Sequence, residues 1–304
     1  MPVILTACTQ RKRVTHNPFL CARDLPKGAL KQVADVWSAR RKTARSVGRA
    51  QELYSGRSFI EATKAAQVAQ AALYIVSAGL GLVHGNDEVP SYNLTVSKGG
   101  PDCVLDKIED GRSEADWWMA LGAAQTLHEV FDRSDNLIVL ALPSPYLRMI
   151  APALSSLTDE ACDRIRIVGG RDAPDLDPRL ELARLPYDDR LDGPQSPLPG
   201  TKSDFASRSA RHFVEEILLK APHATAETHR ELVEAALSTW TRPVAKAGAR
   251  MSDADVKSIV RDHWARAGGH STKLLRILRD ELNIACEQKR FSRLAAEIRE
   301  ERTR

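Results

Sequence analysis

Four short stretches, "PVILTAC", "ALYIVSA", "NLIVLALP" and "RIRIVGG", are β-branched, apolar on both faces, and run into glycine, proline or polar residues. A strand that is apolar on both faces must be covered on both. Helical periodicity fills the intervals, over residues 28–50, 57–71, 114–132 and 145–156. This alternation predicts an α/β fold, a three-layer sandwich with a mainly parallel central sheet. With 304 residues, 43% of them hydrophobic and 28% charged, the chain is long enough for one large domain and a smaller one.

In such a sheet, ligands bind beyond the carboxyl ends of the strands, where the connecting loops gather. Four loops therefore become candidates together: "TACTQRKR", "SAGLGLVHGNDEVPSYNLT", "ALPSPY" and "VGGRDAP". They would bring Asp87, Glu88, His84 and Asn93 to one edge with Cys8, Thr9, Lys12, Ser77, Ser144, Tyr146 and Arg171. A proline- and aspartate-rich strap over residues 172–202 follows, and Ser203 or Asp204 then caps a helix.

"APHATAET" marks the expected boundary between an α/β domain, residues 1–221, and an all-α domain, residues 222–304. In the tail, "STKLLRILRDEL" and "CEQKRFSRLAAEIREE" are joined only by "NIA", which predicts a tight helix-turn-helix. Charge separates along the chain: residues 1–50 hold 11 Lys/Arg against 2 Asp/Glu, residues 51–221 hold 17 against 26, and residues 222–304 hold 16 against 12. Two basic ends suit a polyanionic partner, because Lys and Arg displace counterions from phosphates. Lys273, Arg276, Lys289, Arg290 and Arg293 are the candidate DNA contacts, although the same helices would be amphipathic without nucleic acid.

Cys8, Cys21, Cys103, Cys162 and Cys286 are far apart with no C-x-x-C pair, so no disulfide framework or metal site is encoded locally. The start "MPVILTACTQRKR" has no basic region before its apolar run, and no run approaches membrane-spanning length, so the expectation is a cytoplasmic protein without membrane contact. The mixture of groups at the strand edge suits cleavage of an N-glycosidic bond. There a carboxylate stabilises an oxocarbenium-like sugar, while amides and an aromatic ring grip a flipped base. Neither metal nor cofactor is required for that chemistry.

"LTACTQRK", "AQELYSGRSF", "YIVSAGLGL" and "YNLT" resemble the hallmarks of a family of small α/β domains. That family is associated with the uracil-DNA glycosylase superfold and with domains that accompany tRNA deazaguanine-exchange enzymes. The resemblance runs from about residue 3 to residue 95, and the sheet pattern extends it to about 220. It places Cys8, Thr9 and Lys12 in the first-strand loop, Leu53, Tyr54 and Phe59 at a helix start, Ser77, Ala78, Gly81 and Leu82 at the end of the second strand, and Tyr92 and Asn93 after it. The chain departs from the pattern at Asn93, where aspartate is more usual.

"STKLLRILRDELNIACEQKRFSRL" resembles helical modules of phage-related and mobile-element proteins. Together the two likenesses make the chain similar to defence glycosylases that remove modified bases from bacteriophage DNA. The resemblance implies base excision from double-stranded DNA, leaving an abasic site; it leaves the base itself open, and a bulky modified pyrimidine fits a protein of this kind better than plain uracil. Asp87 is then the first candidate for the catalytic carboxylate and Asp204 the second. Lys12, Tyr54, Tyr92, Asn93, Ser144 and Arg171 would shape the base and phosphate pocket. The alternatives are a base-modifying enzyme of the deazaguanine-exchange type acting on tRNA, and a non-catalytic DNA-binding regulator that senses a nucleotide.

Overall fold

The computed structural model describes residues 1–304 apart from 135, 171–172, 174–175, 245–247 and 304. The chain divides into two units, Met1–Pro243 and Val244–Arg304.

In the first unit the elements run β1 (Val3–Ala7), α1 (Leu30–Thr43), β2 (Gly48–Arg49), α2 (Ala50–Leu53), α3 (Arg57–Val68), β3 (Ala72–Ser77), β4 (Gly81–His84) and β5 (Glu88–Val89). They continue with α4 (Glu114–Ala120), α5 (Ala123–Arg133), β6 (Ile138–Ala141), α6 (Ser144–Ser155), α7 (Asp159–Asp163), β7 (Ile165–Ile167), α8 (Phe205–His212) and α9 (Ala226–Leu237). A five-stranded sheet of order β4-β3-β1-β6-β7 forms the centre. β1 pairs in parallel with β3 (Val3 opposite Ala72) and with β6 (Val3 opposite Ile138), and β6 pairs in parallel with β7. All five residues of β1 are buried, as a strand covered on both faces requires. α3 and α8 pack on each other and on the central strands, while α1, α4, α5 and α6 form a second helical group. The unit is thus a mixed α/β fold with a mostly parallel sheet.

Three expectations shift. The helix expected over residues 28–50 stops at Thr43, because the chain beyond it pairs with the segment after β4: Val47 N–H donates to Val89 O, and β2 pairs with β5. The helix expected over 114–132 is broken in two at Gly122, whose φ of 74° is left-handed backbone that favours glycine. The boundary expected at 221/222 falls after Pro243 instead, because Val233 and Leu237 of α9 are buried in the core of the α/β unit.

The second unit holds β8 (Ala249–Arg250), α10 (Asp253–Asp262), α11 (Ser271–Arg276, continuing as a wider turn to Glu281), β9 (Ile284–Ala285) and α12 (Gln288–Thr303). Its core is Val256, Val260, Leu274, Ile277, Leu278, Phe291, Leu294 and Ile298, the apolar stripes of the three helices. The connection between the last two helices is longer than "NIA": β9 lies within it and pairs with β8.

Candidate functional site

At the carboxyl edge of the sheet, β1 runs into Cys8 and Thr9. The Thr9 hydroxyl lies 2.8 Å from both Arg11 O and Ser55 O, between which its single proton is shared, and this folds the loop back over the end of α2. Lys12 is thereby bridged to Tyr54. Its Nζ lies 4.2 Å from the centre of the Tyr92 ring and 5.8 Å from that of Tyr54, and it donates to Thr9 O at 3.4 Å. An ammonium group over two phenol rings is a cation–π arrangement. Tyr146, from the first turn of α6, reaches the same edge, with its hydroxyl 3.1 Å from Cys8 Sγ. Ser144 opens that turn.

The hydroxyls behind Lys12 form a chain with a direction. Ser77 Oγ accepts the N–H groups of Gly79 (3.2 Å) and Leu80 (2.9 Å), which fills its lone pairs. Its proton therefore goes to Tyr92, 2.6 Å away, and the proton of Tyr92 goes to Tyr54 at 3.0 Å. Tyr54 keeps its own proton for a further acceptor. Burial holds the phenols of Tyr54, Tyr92 and Tyr146 well above the usual tyrosine range, so all three stay neutral. Burial also lowers Lys12, and the neighbouring Cys8 opposes that shift. Gly79 makes the close packing feasible: a Cβ there would come within 2.5 Å of the Tyr92 ring.

The candidate carboxylates are elsewhere. The segment after β3, expected to be a loop at this edge, contains β4, which runs antiparallel to β3 with Gly81 opposite Ser77 and His84 opposite Tyr74. This hairpin returns the chain to the amino half of β3. Asp87 there accepts the His84 N–H at 2.7 Å, and Glu88 accepts the Ser46 hydroxyl at 2.7 Å; both acids are exposed. His84 stacks edge-on against Tyr74. Asn93 spends its amide on Asp102, 2.6 Å away, and Arg23 grips the same carboxylate through Nε (3.0 Å) and Nη2 (2.6 Å). Asp204 closes a capping box with Thr201 and accepts Arg208 Nε at 2.6 Å. The capping expected of Asp204 is thus met one turn early: its side chain closes the turn before α8 and makes no cap bond to α8 itself. Arg171 lies outside the described residues.

The structure thus brings Cys8, Thr9, Lys12, Tyr54, Ser77, Tyr92 and Tyr146 together and leaves Asp87, Glu88, Asn93 and Asp204 out. Sequence reasoning missed Asp102 and Arg23, as well as Trp37 and Trp117. The two indoles donate to Gly79 O and Ala78 O, each at 2.7 Å, and so hold the turn under Tyr92. Their only sequence signal was an apolar position in a helix. Among the described residues, no three His, Cys, Asp or Glu side chains converge to hold a metal ion.

In the second unit, Lys273 and Lys289 are exposed, and Arg276 forms an open pair with Asp280 at 3.8 Å. Arg290 and Arg293 are not free cations. Asp253 takes both, at 2.6 Å each, and Glu297 takes Arg293 at 3.0 Å. The N–H groups of Lys289 and Arg290 are capped by Glu287.

Residues 36–163 are similar to a family of unknown function (DUF6884). The matched stretch contains Tyr54, Ser77, Tyr92 and Tyr146 but leaves Cys8, Thr9 and Lys12 outside it. No curated protein and no solved structure matches the chain. Among the described residues, no helix is long and apolar enough to cross a membrane.

Proposed function

We propose that the chain is a DNA glycosylase that hydrolyses the bond between a base and its sugar, with Lys12 and Tyr54 acting on the departing base. The supporting observation is a donor-rich edge with no acid beside Lys12 among the described residues: a half-buried ammonium over two tyrosine rings, backed by a hydroxyl chain that ends on Tyr54, whose own proton meets no acceptor among those residues. Such a group of donors stabilises negative charge, and the charge that develops when a C1′–N bond breaks is on the base. The electron pair leaves with the base and is met by the Lys12 ammonium or the Tyr54 hydroxyl. Water adds to the oxocarbenium carbon and gives its proton to solvent, leaving an abasic site. The rings of Tyr54 and Tyr92 are buried beneath Lys12, and a flipped base reaches them only if Lys12 swings aside. No carboxylate is assigned to the step, in contrast to the sequence expectation of Asp87.

The wider reading rests on resemblance: a uracil-DNA-glycosylase-like superfold, a helix-turn-helix in the second unit, and a modified base of bacteriophage DNA as target. The test is to incubate the purified chain with duplex DNA of normal and modified bases and with tRNA, and to look for free base by mass spectrometry. Release from DNA is the expected result. Release from tRNA alone favours an RNA enzyme, and no release from any substrate overturns the proposal.

DNA contact by the second unit makes a separate prediction. Asp253→Ala releases Arg290 from its acid, while Arg293 keeps Glu297, so affinity for duplex DNA should rise at low salt. The salt slope should steepen by about 1, close to one per phosphate newly engaged. Fluorescence anisotropy across a salt series reads this, and an unchanged slope would remove Arg290 from the interface.

A further inference from the structure

A cavity lies at the opposite, amino edge of the sheet. It has a volume of about 860 Å³ and is bounded by Pro2, which precedes β1, Leu137, which precedes β6, and Arg164, which precedes β7. That volume is in the range of small-molecule sites. Two arginines meet it, and among the described residues no carboxylate pairs directly with either, although the charge of Asp163 acts on Arg166 from a distance. Arg166 is only 2% exposed, yet its partners are all neutral: Nε donates to His229 Nδ1 at 2.9 Å, Nη1 to Asp163 O and Ile165 O, and Nη2 to Ala224 O at 3.0 Å.

His229 cannot supply the missing charge. Its Nδ1 accepts from Arg166, so its proton is on Nε2, which donates to Ala221 O at 2.9 Å. Arg164 donates Nη2 to Phe131 O at 3.0 Å, and its buried Nε has no partner among the described residues. The carboxylates that line the cavity, Asp163 and Glu227, are exposed, and neither lies within ion-pair distance of the two arginines. The third arginine of the wall, Arg179, is spent on Asp177 and Asp159.

A buried cation whose partners are all neutral is costly unless an anion completes it. The amino end of α9, capped by Thr225, lines the same cavity and adds the positive end of a helix dipole. Leu137 and Leu218 provide an apolar floor beside these groups. We infer that this cavity is a binding site for a small phosphate ester of nucleotide size, whose phosphate meets Arg164 and the α9 terminus while its apolar body rests on the leucines. The site is on the sheet edge away from Lys12 and does not rest on the glycosylase reading.

The probes are inorganic pyrophosphate and a nucleoside monophosphate, titrated into the full chain by calorimetry with melting temperature as a second readout. Saturable binding is expected, tighter for the nucleoside monophosphate because only it uses the floor. Arg164→Gln, at a half-exposed position that leaves Arg166 in place, should weaken both by about tenfold or more, the worth of one charge-assisted hydrogen bond. Lys12→Met should leave binding unchanged. Failure of both probes to bind at millimolar concentration would overturn the proposal, as would equal affinity in Arg164→Gln.

Discussion

Lys12→Met is expected to lower base release by roughly 10²–10³-fold, the usual cost of removing one preorganised donor from a developing anion. Methionine keeps the apolar stem over the Tyr92 ring and deletes only the charge. The melting temperature should therefore move little, because a half-exposed cation–π contact is worth only about 1 kcal/mol. Unchanged release in this variant would remove Lys12 from the chemistry.

The pH profile has a definite sign. Burial holds Lys12 below the usual lysine range, so release should fall as pH rises through that lowered value, earlier than an ordinary lysine would titrate. The same shift means that the unfolded chain binds more protons than the folded one across that window. Stability contributed by this group therefore rises with pH there, and Lys12→Met should abolish the increment. Release measured beside thermal melting over alkaline pH separates the two effects.

Arg208→Met is expected to cost about 3–5 kcal/mol of stability, the loss found when one partner of a buried ion pair is removed. Its guanidinium is fully buried and joins four points of the strap to α8: Asp204 at 2.6 Å, Asp192 at 2.6 Å, Leu198 O at 2.8 Å and Thr201 O at 3.0 Å. Without it the buried Asp204 keeps its bonds from Thr201, and Arg57, at 3.6 Å, is the one described cation left to it. Urea denaturation measures the loss. A change under about 1 kcal/mol, typical of exposed pairs, would show that the network contributes nothing beyond a surface contact.

The sheet was legible because its signal is local. Four β-branched runs, apolar on both faces, admit few alternatives, and all four are strands at their expected places. The residues of the carboxyl edge followed from that topology: Ser77 ends a strand, and Cys8, Lys12 and Tyr146 each follow one within a few residues. The hairpin was harder to foresee. "GLGLVHG" is short and glycine-rich, and only the pairing of Val83 with Ile75 and His84 with Tyr74 turns it into a strand that takes Asp87 away. The pairing of Asn93 with Asp102 and of Arg290 and Arg293 with Asp253 depends on side chains distant in sequence, which no periodicity reveals. α9 was misplaced for a similar reason: its apolar stripe was visible, but not which core it enters.

The position of β1 has a consequence for how the chain is made. It is the first of the five strands to be synthesised and the middle one in the finished sheet, so Val3 waits for Ala72 on one side and Ile138 on the other. At about 5–20 residues per second, the second neighbour leaves the ribosome on the order of ten seconds after the first strand. Throughout that interval a strand that is apolar but for Thr6 has at least one open hydrogen-bonding edge, the kind of segment that chaperones cover and aggregates recruit. Conditions that lengthen the wait, such as slow decoding between α3 and β6, should therefore lower the yield of soluble protein without altering the finished fold.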